Sequence, residues 1–190
     1  MNHTGTAFLH TERLLLRPYQ RGDEEAMFRN WANDEEVCRF LPWPPHGSIE
    51  VTREVVREWT DSAVNDRVYH WGITLNDELI GDIAVVNWHE KHMDAEIGYC
   101  LGRAWWGQGY ITEALRSVMH YLFETVGFHR ISLAHDAQNR ASGRVMQKAG
   151  LQYEGTLREA VLRRDGTWTD RIMYGAVNGP WQQKQRRTGS

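Results

Sequence analysis

Apolar positions along the chain change period several times, and each change marks an element. Leu14-Leu15-Leu16, stopped by Pro18, predicts a first strand within residues 11–19. Asp23-Glu24-Glu25 then opens a helical stretch through Trp31, with its acids at the positive end of the helix dipole. Pro42-Trp43-Pro44-Pro45, closing at Gly47, can only be a loop. Val51, Val55, Val56 and Trp59 return to helical spacing and predict a second helix from Ser48 to about Val64. Ser48 stands in the N-cap position without a full capping box.

From Val68 the period shortens. Val68 to Leu75 and Leu79 to Trp88 read as paired strands across an Asn76-Asp77 turn, and Asp94 to Leu101 as a third. A glycine-rich turn follows directly. Ile111, Ala114, Leu115, Val118, Leu122 and Val126 form a helix stripe closed by Gly127. Arg130 to His135 is a further strand, and Asn139 caps a helix ending at Ala149-Gly150. Two last strands, Leu151 to Leu162 and Thr167 to Val177, flank Asp165-Gly166, the strongest hairpin signal in the chain. The order predicts a mixed α/β fold: a mostly antiparallel central sheet of about seven strands with flanking helices. A central β-α-β crossover should join two parallel strands.

Composition narrows the function classes. At 190 residues, 41% hydrophobic and 25% charged, the chain suits one globular domain. With 22 basic and 25 acidic residues there is no basic field for sequence-independent nucleic-acid binding, and no direct nucleic-acid contact is expected. Cys38 and Cys100 lie far apart without C-x-x-C spacing, which indicates neither a disulfide scaffold nor a zinc site. Residues 1–6 lack the basic and apolar regions of a signal peptide, and the longest apolar runs, such as Ile83-Ala84-Val85-Val86, are strand-sized. The expectation is a cytoplasmic protein without a membrane segment.

The most informative segment is Gly102-Arg103-Ala104-Trp105-Trp106-Gly107-Gln108-Gly109-Tyr110, between a strand and a helix start. Glycines there let successive N–H groups converge at a helix N-terminus, which suits an anion such as phosphate. Gly102 and Gly107 have Walker A spacing, but Gln108-Gly109 replaces the Lys and Ser/Thr. Gly107-x-Gly109 begins a dinucleotide fingerprint, but Thr112 stands at its third glycine. Spacing alone leaves two readings, a pyrophosphate cradle of another kind or a merely tight turn.

Trp106-Gly107-Gln108-Gly109-Tyr110-Ile111-Thr112-Glu113-Ala114-Leu115 resembles the phosphate-binding motif of the GNAT superfamily of acyl-CoA-dependent N-acetyltransferases. Ala95 to Leu101 is similar to the preceding strand of that family. Asn139, Ser142, Lys148, Ala149-Gly150 and Glu154-Gly155 are similar to the next motif of its RimJ/RimL-like branch, and Glu12 to Arg17 to that branch's opening strand. The resemblance implies residues 11–178 as an N-acetyltransferase domain, with residues 1–10 as an arm and 179–190 as a polar tail, within which the composition of Gln182 to Ser190 predicts fraying. It implies acetyl-CoA as co-substrate, no metal, and a primary amine as acceptor, either a protein N-terminus of the ribosomal-protein type or a small molecule. It leaves open a homodimer and a CoA-binding regulatory module without turnover.

Carried over by residue, the amides of Trp106, Gly107, Gln108, Gly109, Tyr110, Ile111 and Thr112 would hold the pyrophosphate. Tyr99, Cys100 and Leu101 would offer main-chain hydrogen bonds to the pantetheine arm. Asn139 would contact the same arm, with Ser142 near the sulfur. Trp106 and Ile111 depart from the commonest residues of the motif, and Met146 stands where many relatives place an acid Tyr.

Acetyl transfer needs a neutral amine, so a proton acceptor is required. Glu96 is the candidate, because its strand leads to the thioester. The alternative is a partly exposed strand residue paired with a neighbour. Ser142 is the candidate donor to the leaving thiolate, or simply a first-turn helix serine. His89-Glu90-Lys91-His92 is one residue short of H-E-x-x-H and reads as a solvated loop. Cys100 shows no evident His-Asp relay and reads as a buried strand cysteine. Trp43 either lines an acceptor pocket or packs, and Arg140 and Arg144 either meet a ribose phosphate or are solvated.

Overall fold

The structure, a computed structural model, describes residues 1–188, with side chains as far as Gln183. Its strands are β1 (Leu9–His10), β2 (Leu15–Arg17), β3 (His70–Leu75), β4 (Glu78–His89), β5 (Asp94–Leu101), β6 (Arg130–Asp136), β7 (Gln152–Leu162) and β8 (Trp168–Val177). The α-helices are α1 (Asp23–Met27), α2 (Glu35–Cys38), α3 (Ile49–Ser62), α4 (Tyr110–Tyr121), α5 (Arg140–Lys148) and α6 (Asn178–Thr188). Hydrogen bonding orders the strands β1-β2-β3-β4-β5-β6-β8-β7. β5 and β6 run parallel, joined through α4, while β1–β2, β2–β3, β3–β4, β6–β8 and β7–β8 are antiparallel. This is the mixed, mostly antiparallel sheet the sequence predicts, with eight strands rather than about seven. The additional strand, β1, is two residues long and too short to carry a periodicity.

The chain packs as two units, Asn2–Val85 with Gly98–Val118, and Val86–Ile97 with Met119 onward. In the first, Leu16, Trp71, Ile73, Ile80 and Ile83 are wholly buried. Tyr19, Met27, Trp31, Val56, Leu79 and Cys100 share a second cluster, against which Trp43, Val55 and Trp59 pack. Trp43 is half-buried there. The first helix is shorter than expected: after Met27 the backbone widens into a π-helical turn, Phe28–Ala32. Asp34 then caps α2, accepting from the N–H groups of Glu36 and Val37. At Gly81 a Cβ would lie 2.4 Å from the Cys100 carbonyl oxygen, so only glycine allows this approach.

In the second unit the parallel ladder pairs Asp94, Ala95 and Glu96 with Arg130, Ile131 and Ser132. The apolar stripe continues past α4 as a π-helical turn, Leu122–Val126, and Gly127 ends it at φ 91°. Asn139 caps α5 as expected, its side chain accepting from the Ser142 N–H at 3.2 Å. Gly166 (φ 80°) turns the β7–β8 hairpin. The expected frayed tail is instead helical as far as Thr188, because Trp181 is buried. Its Nε1–H donates to the Ala149 carbonyl at 3.0 Å, and its ring lies 5.4 Å from that of Phe123. Residues 189–190 of that expected tail lie outside the described residues.

Candidate active site

The glycine-rich turn leaves β5 through a short 3-10 turn, Arg103–Trp105, and enters α4 at Tyr110. Gly107 and Gly109 both take left-handed conformations, at φ 75° and 85°. A Cβ at Gly107 would meet nothing within 4 Å. Glycine is needed there for the backbone path, not to relieve crowding. Trp106, Gly107, Gln108 and Gly109 are exposed at the start of a 12-residue helix, the setting that suits an anionic group. Trp106 Nε1–H donates to the Leu101 carbonyl at 2.7 Å, and Gln108 Nε2 to that of Ala104 at 3.2 Å, which brace the turn internally. Ile111 is buried in the core, whereas Tyr110 and Thr112 are half-buried.

An arginine that sequence reasoning passed over ties this turn down. Arg13 Nη1 donates to the Gln108 carbonyl at 3.1 Å, and its guanidinium sits 4.4 Å over the Tyr110 ring. Its Nε and main-chain N–H donate to the two carboxylate oxygens of Glu113 at 2.7 and 2.9 Å, while the Thr11 hydroxyl adds a third bond at 2.6 Å. Burial pushes the Glu113 carboxyl up, but the bonds from Thr11 and Arg13 outweigh it and hold the group below its ordinary range. A Cβ on Gly109 would lie 3.5 Å from Arg13 Nη2, so a cation stands beside the turn. The Trp106 N–H is held by the Arg103 carbonyl at 3.2 Å, but the exposed backbone from Gly107 to Gly109, its two left-handed glycines and this guanidinium together fit an anion such as pyrophosphate.

Tyr99, Cys100 and Leu101 close β5 immediately before the turn, and the Gly102 N–H donates to the Ile80 carbonyl at 2.8 Å. Cys100 is buried, and burial followed by the nearby Asp82 charge pushes its thiol well up, which favours the protonated form. It does have a relay partner, contrary to expectation. Cys100 Sγ donates to Asp82 Oδ1 at 2.9 Å, and Asp82 Oδ2 lies 2.8 Å from His70 Nε2. No local signal joins these residues, because strand register alone brings them together.

In the second unit, Glu96 is ion-paired with Arg171 through one carboxylate oxygen. Ser142 sits in the first turn of α5, its N–H held by the Asn139 side chain. Met146 is buried in the core. Arg140 and Arg144 are exposed along α5. His89 Nδ1 lies 3.2 Å from Asp94, and among the described residues no three His, Cys, Asp or Glu side chains form a metal cluster.

This topology and turn define a class. Residues 13–152 match the family model of the acetyltransferase (GNAT) domain, and the chain belongs to that family. It is an N-acetyltransferase by family, acting on an amine acceptor. It is 35% identical over 171 residues to the uncharacterized N-acetyltransferase YoaA of Bacillus subtilis (strain 168), a match covering 89% of this chain and 96% of that one. Over 85 residues it is 31% identical to the ribosomal protein uS5 alanine N-acetyltransferase of Escherichia coli (strain K12), covering 45% of this chain and 43% of that one. A solved structure of RimL, a ribosomal L7/L12 alpha-N-protein acetyltransferase in complex with coenzyme A, aligns at a TM-score of 0.81. At 21% identity, over 90% of this chain and 98% of that one, this likeness is one of fold.

Proposed function

We propose that this acetyltransferase uses acetyl-CoA as donor and a protein N-terminal α-amine as acceptor. The observation that carries the donor half is the turn at 106–110: two left-handed glycines and exposed backbone opening α4, with Arg13 alongside. In this reading the amides of residues 107–112 take the pyrophosphate, the Trp106 N–H being held by Arg103. Main-chain groups of Tyr99, Cys100 and Leu101 take the pantetheine arm, and Asn139 and Ser142 serve the same arm, as the family resemblance implies. The Leu101 N–H polarises the thioester carbonyl as an oxyanion donor would. Ser142 is the hydrogen-bond donor to the leaving sulfur, and Glu96 stands as a carboxylate paired with Arg171.

Acceptor class follows from chemistry and from a relative. An α-amine with a pKa of about 8 is partly neutral near pH 7, whereas a lysine at about 10.4 needs far more help. The Escherichia coli relative is named for an alanine of ribosomal protein uS5, and that name supports a protein N-terminus here. Calorimetric titration with coenzyme A, NAD and ATP tests the donor: coenzyme A alone should bind, and equal binding of NAD would remove the assignment. A turnover screen across N-terminal peptides and small primary amines tests the acceptor. Transfer confined to small amines would replace the peptide reading. CoA binding without transfer to any amine would make the protein a regulatory module.

A further inference from the structure

Within the first unit, β3 and β5 bring two functional side chains to one carboxylate on β4. Asp82 accepts from the Cys100 thiol on one oxygen and faces His70 Nε2 with the other, at 2.9 and 2.8 Å. In the β3–β4 register His70 stands opposite Ala84 and Asp82 opposite Gly72, so the two side chains meet on the diagonal. Each is 16% exposed, sheltered but reachable. Aromatic rings fix the imidazole: Trp59 of α3 lies 4.2 Å from it and Tyr19 lies 5.0 Å from it, edge-on. The Tyr19 hydroxyl is buried without a hydrogen-bond partner. Burial, then the charges of Asp82 and Cys100, push that phenol well up, which sets it among the same groups as a protonated donor.

Packing alone does not call for this cluster. A carboxylate, an imidazole and an orphan hydroxyl are costly where apolar side chains would fill the space. A carboxylate bound to one ring nitrogen of a histidine fixes its tautomer and leaves the other nitrogen with a lone pair, the arrangement of a general base. The unpartnered hydroxyl beside it provides for a polar group that is not part of the chain. Cys100, which touches Asp82, belongs to the strand end that the acetyl-CoA reading sets along the thioester arm.

We propose that His70, oriented by Asp82, accepts the proton of the acceptor amine; the proposal rests on the acetyl-CoA reading above. The ammonium gives one proton to His70 Nδ1, and the freed lone pair attacks the thioester carbon. The N–C bond forms, the C–S bond breaks, and the nitrogen's second proton goes to the leaving thiolate. His70 then returns its proton to water. Asp82 is a positioning residue, acting only through the imidazole. Among the described residues, Asp82 from β4, Tyr19 after β2 and the uncharged Trp59 from α3 face His70, Cys100 from β5 reaches Asp82, and the Arg17–Asp23 ion pair acts on Tyr19.

The test is a set of pH–rate profiles for wild type, His70→Gln, Asp82→Asn, Asp82→Glu and Glu96→Gln, at saturating acetyl-CoA with an N-terminal peptide that the wild type acetylates. His70→Gln should lower kcat by roughly 10²–10⁴-fold and recover as pH rises, with acetyl-CoA KM and circular dichroism unchanged. Asp82→Asn should move the profile as well as lower kcat, and Asp82→Glu should restore part of it. A folded His70→Gln enzyme with wild-type kcat and profile overturns the proposal. So does a loss that appears only as weaker CoA binding, or a pH-recoverable loss confined to Glu96→Gln. A wild type that acetylates no amine removes the acetyltransfer reading itself, and this role with it. Should His70→Gln not fold, ¹⁵N NMR of the wild type decides: an Nε2–H tautomer is expected, and Nδ1–H overturns the proposal.

Discussion

Gly107, Gly109 and Gly127 share one conformational demand and differ in one proposed role. All three hold φ between 75° and 91°, where a Cβ costs about 1–2 kcal/mol. At Gly107 and Gly127 an added Cβ meets nothing within 4 Å, and at Gly109 its nearest neighbour is Arg13 Nη2 at an ordinary 3.5 Å. Strain is therefore nearly the whole cost in each alanine variant. For a chain of this length, melting should fall by about 2–8 °C in all three. Affinity for coenzyme A should separate them. A methyl group on the turn displaces phosphate from at least one amide, and a charge-assisted hydrogen bond contributes about 1.5–3 kcal/mol. Gly107→Ala and Gly109→Ala should then bind coenzyme A roughly 10–150-fold more weakly. Gly127→Ala, at the far end of the helical segment, should bind as wild type does. Calorimetry well below every melting point, with thermal unfolding alongside, makes the comparison. Wild-type affinity in both turn variants, or an equal loss in Gly127→Ala, would show the turn to be only structural.

Trp181→Ala should destabilise by about 3–5 kcal/mol and lower melting by roughly 6–20 °C, because it removes a buried ring and its hydrogen bond to Ala149; a loss below a degree in thermal unfolding would mean the tail is not docked. Asp136 is a pH prediction. Burial pushes its carboxyl up, but bonds from Arg163, the Gln138 N–H and Thr169 outweigh it and hold the carboxyl below its ordinary 3.8. A depressed folded pKa contributes stability that is complete above the unfolded value and lost as pH falls through the folded one. Asp136→Asn should therefore be less stable at neutral pH and lose less on acidification below about pH 4; urea midpoints against pH with parallel acid limbs would refute this.

What was legible in the sequence had local causes. Glycines 107 and 109, Asn139 and the Asp165-Gly166 turn each act on their immediate neighbours, and each stands where its residue type requires. The π-helical turns at Phe28–Ala32 and Leu122–Val126 escaped notice because their apolar residues still satisfy a helical period. Val51 was counted on the buried stripe of α3 but is 47% exposed, since only Thr52 and Val56 of that helix are fully covered. In the tail the reverse holds, its polar composition concealing a buried anchor, Trp181. Hardest to foresee was the contact of His70, Asp82 and Cys100. Alternation fixes the face a strand residue takes, but the pairing of Gly72 with Asp82 is set by register, which no short segment encodes. Arg13 and Glu113, a hundred positions apart, were hidden likewise.

The central claim, acetyl transfer from acetyl-CoA to a primary amine, is tested most directly by incubating the protein with acetyl-CoA and a panel of N-terminal peptides. Free thiol release and peptide mass are then followed in the same sample. Peptide acetylated at its α-amine in proportion to thiol released, and lost when the α-amine is blocked, is the predicted result. Thiol release without an acetylated amine, or no release with any acceptor, would contradict it.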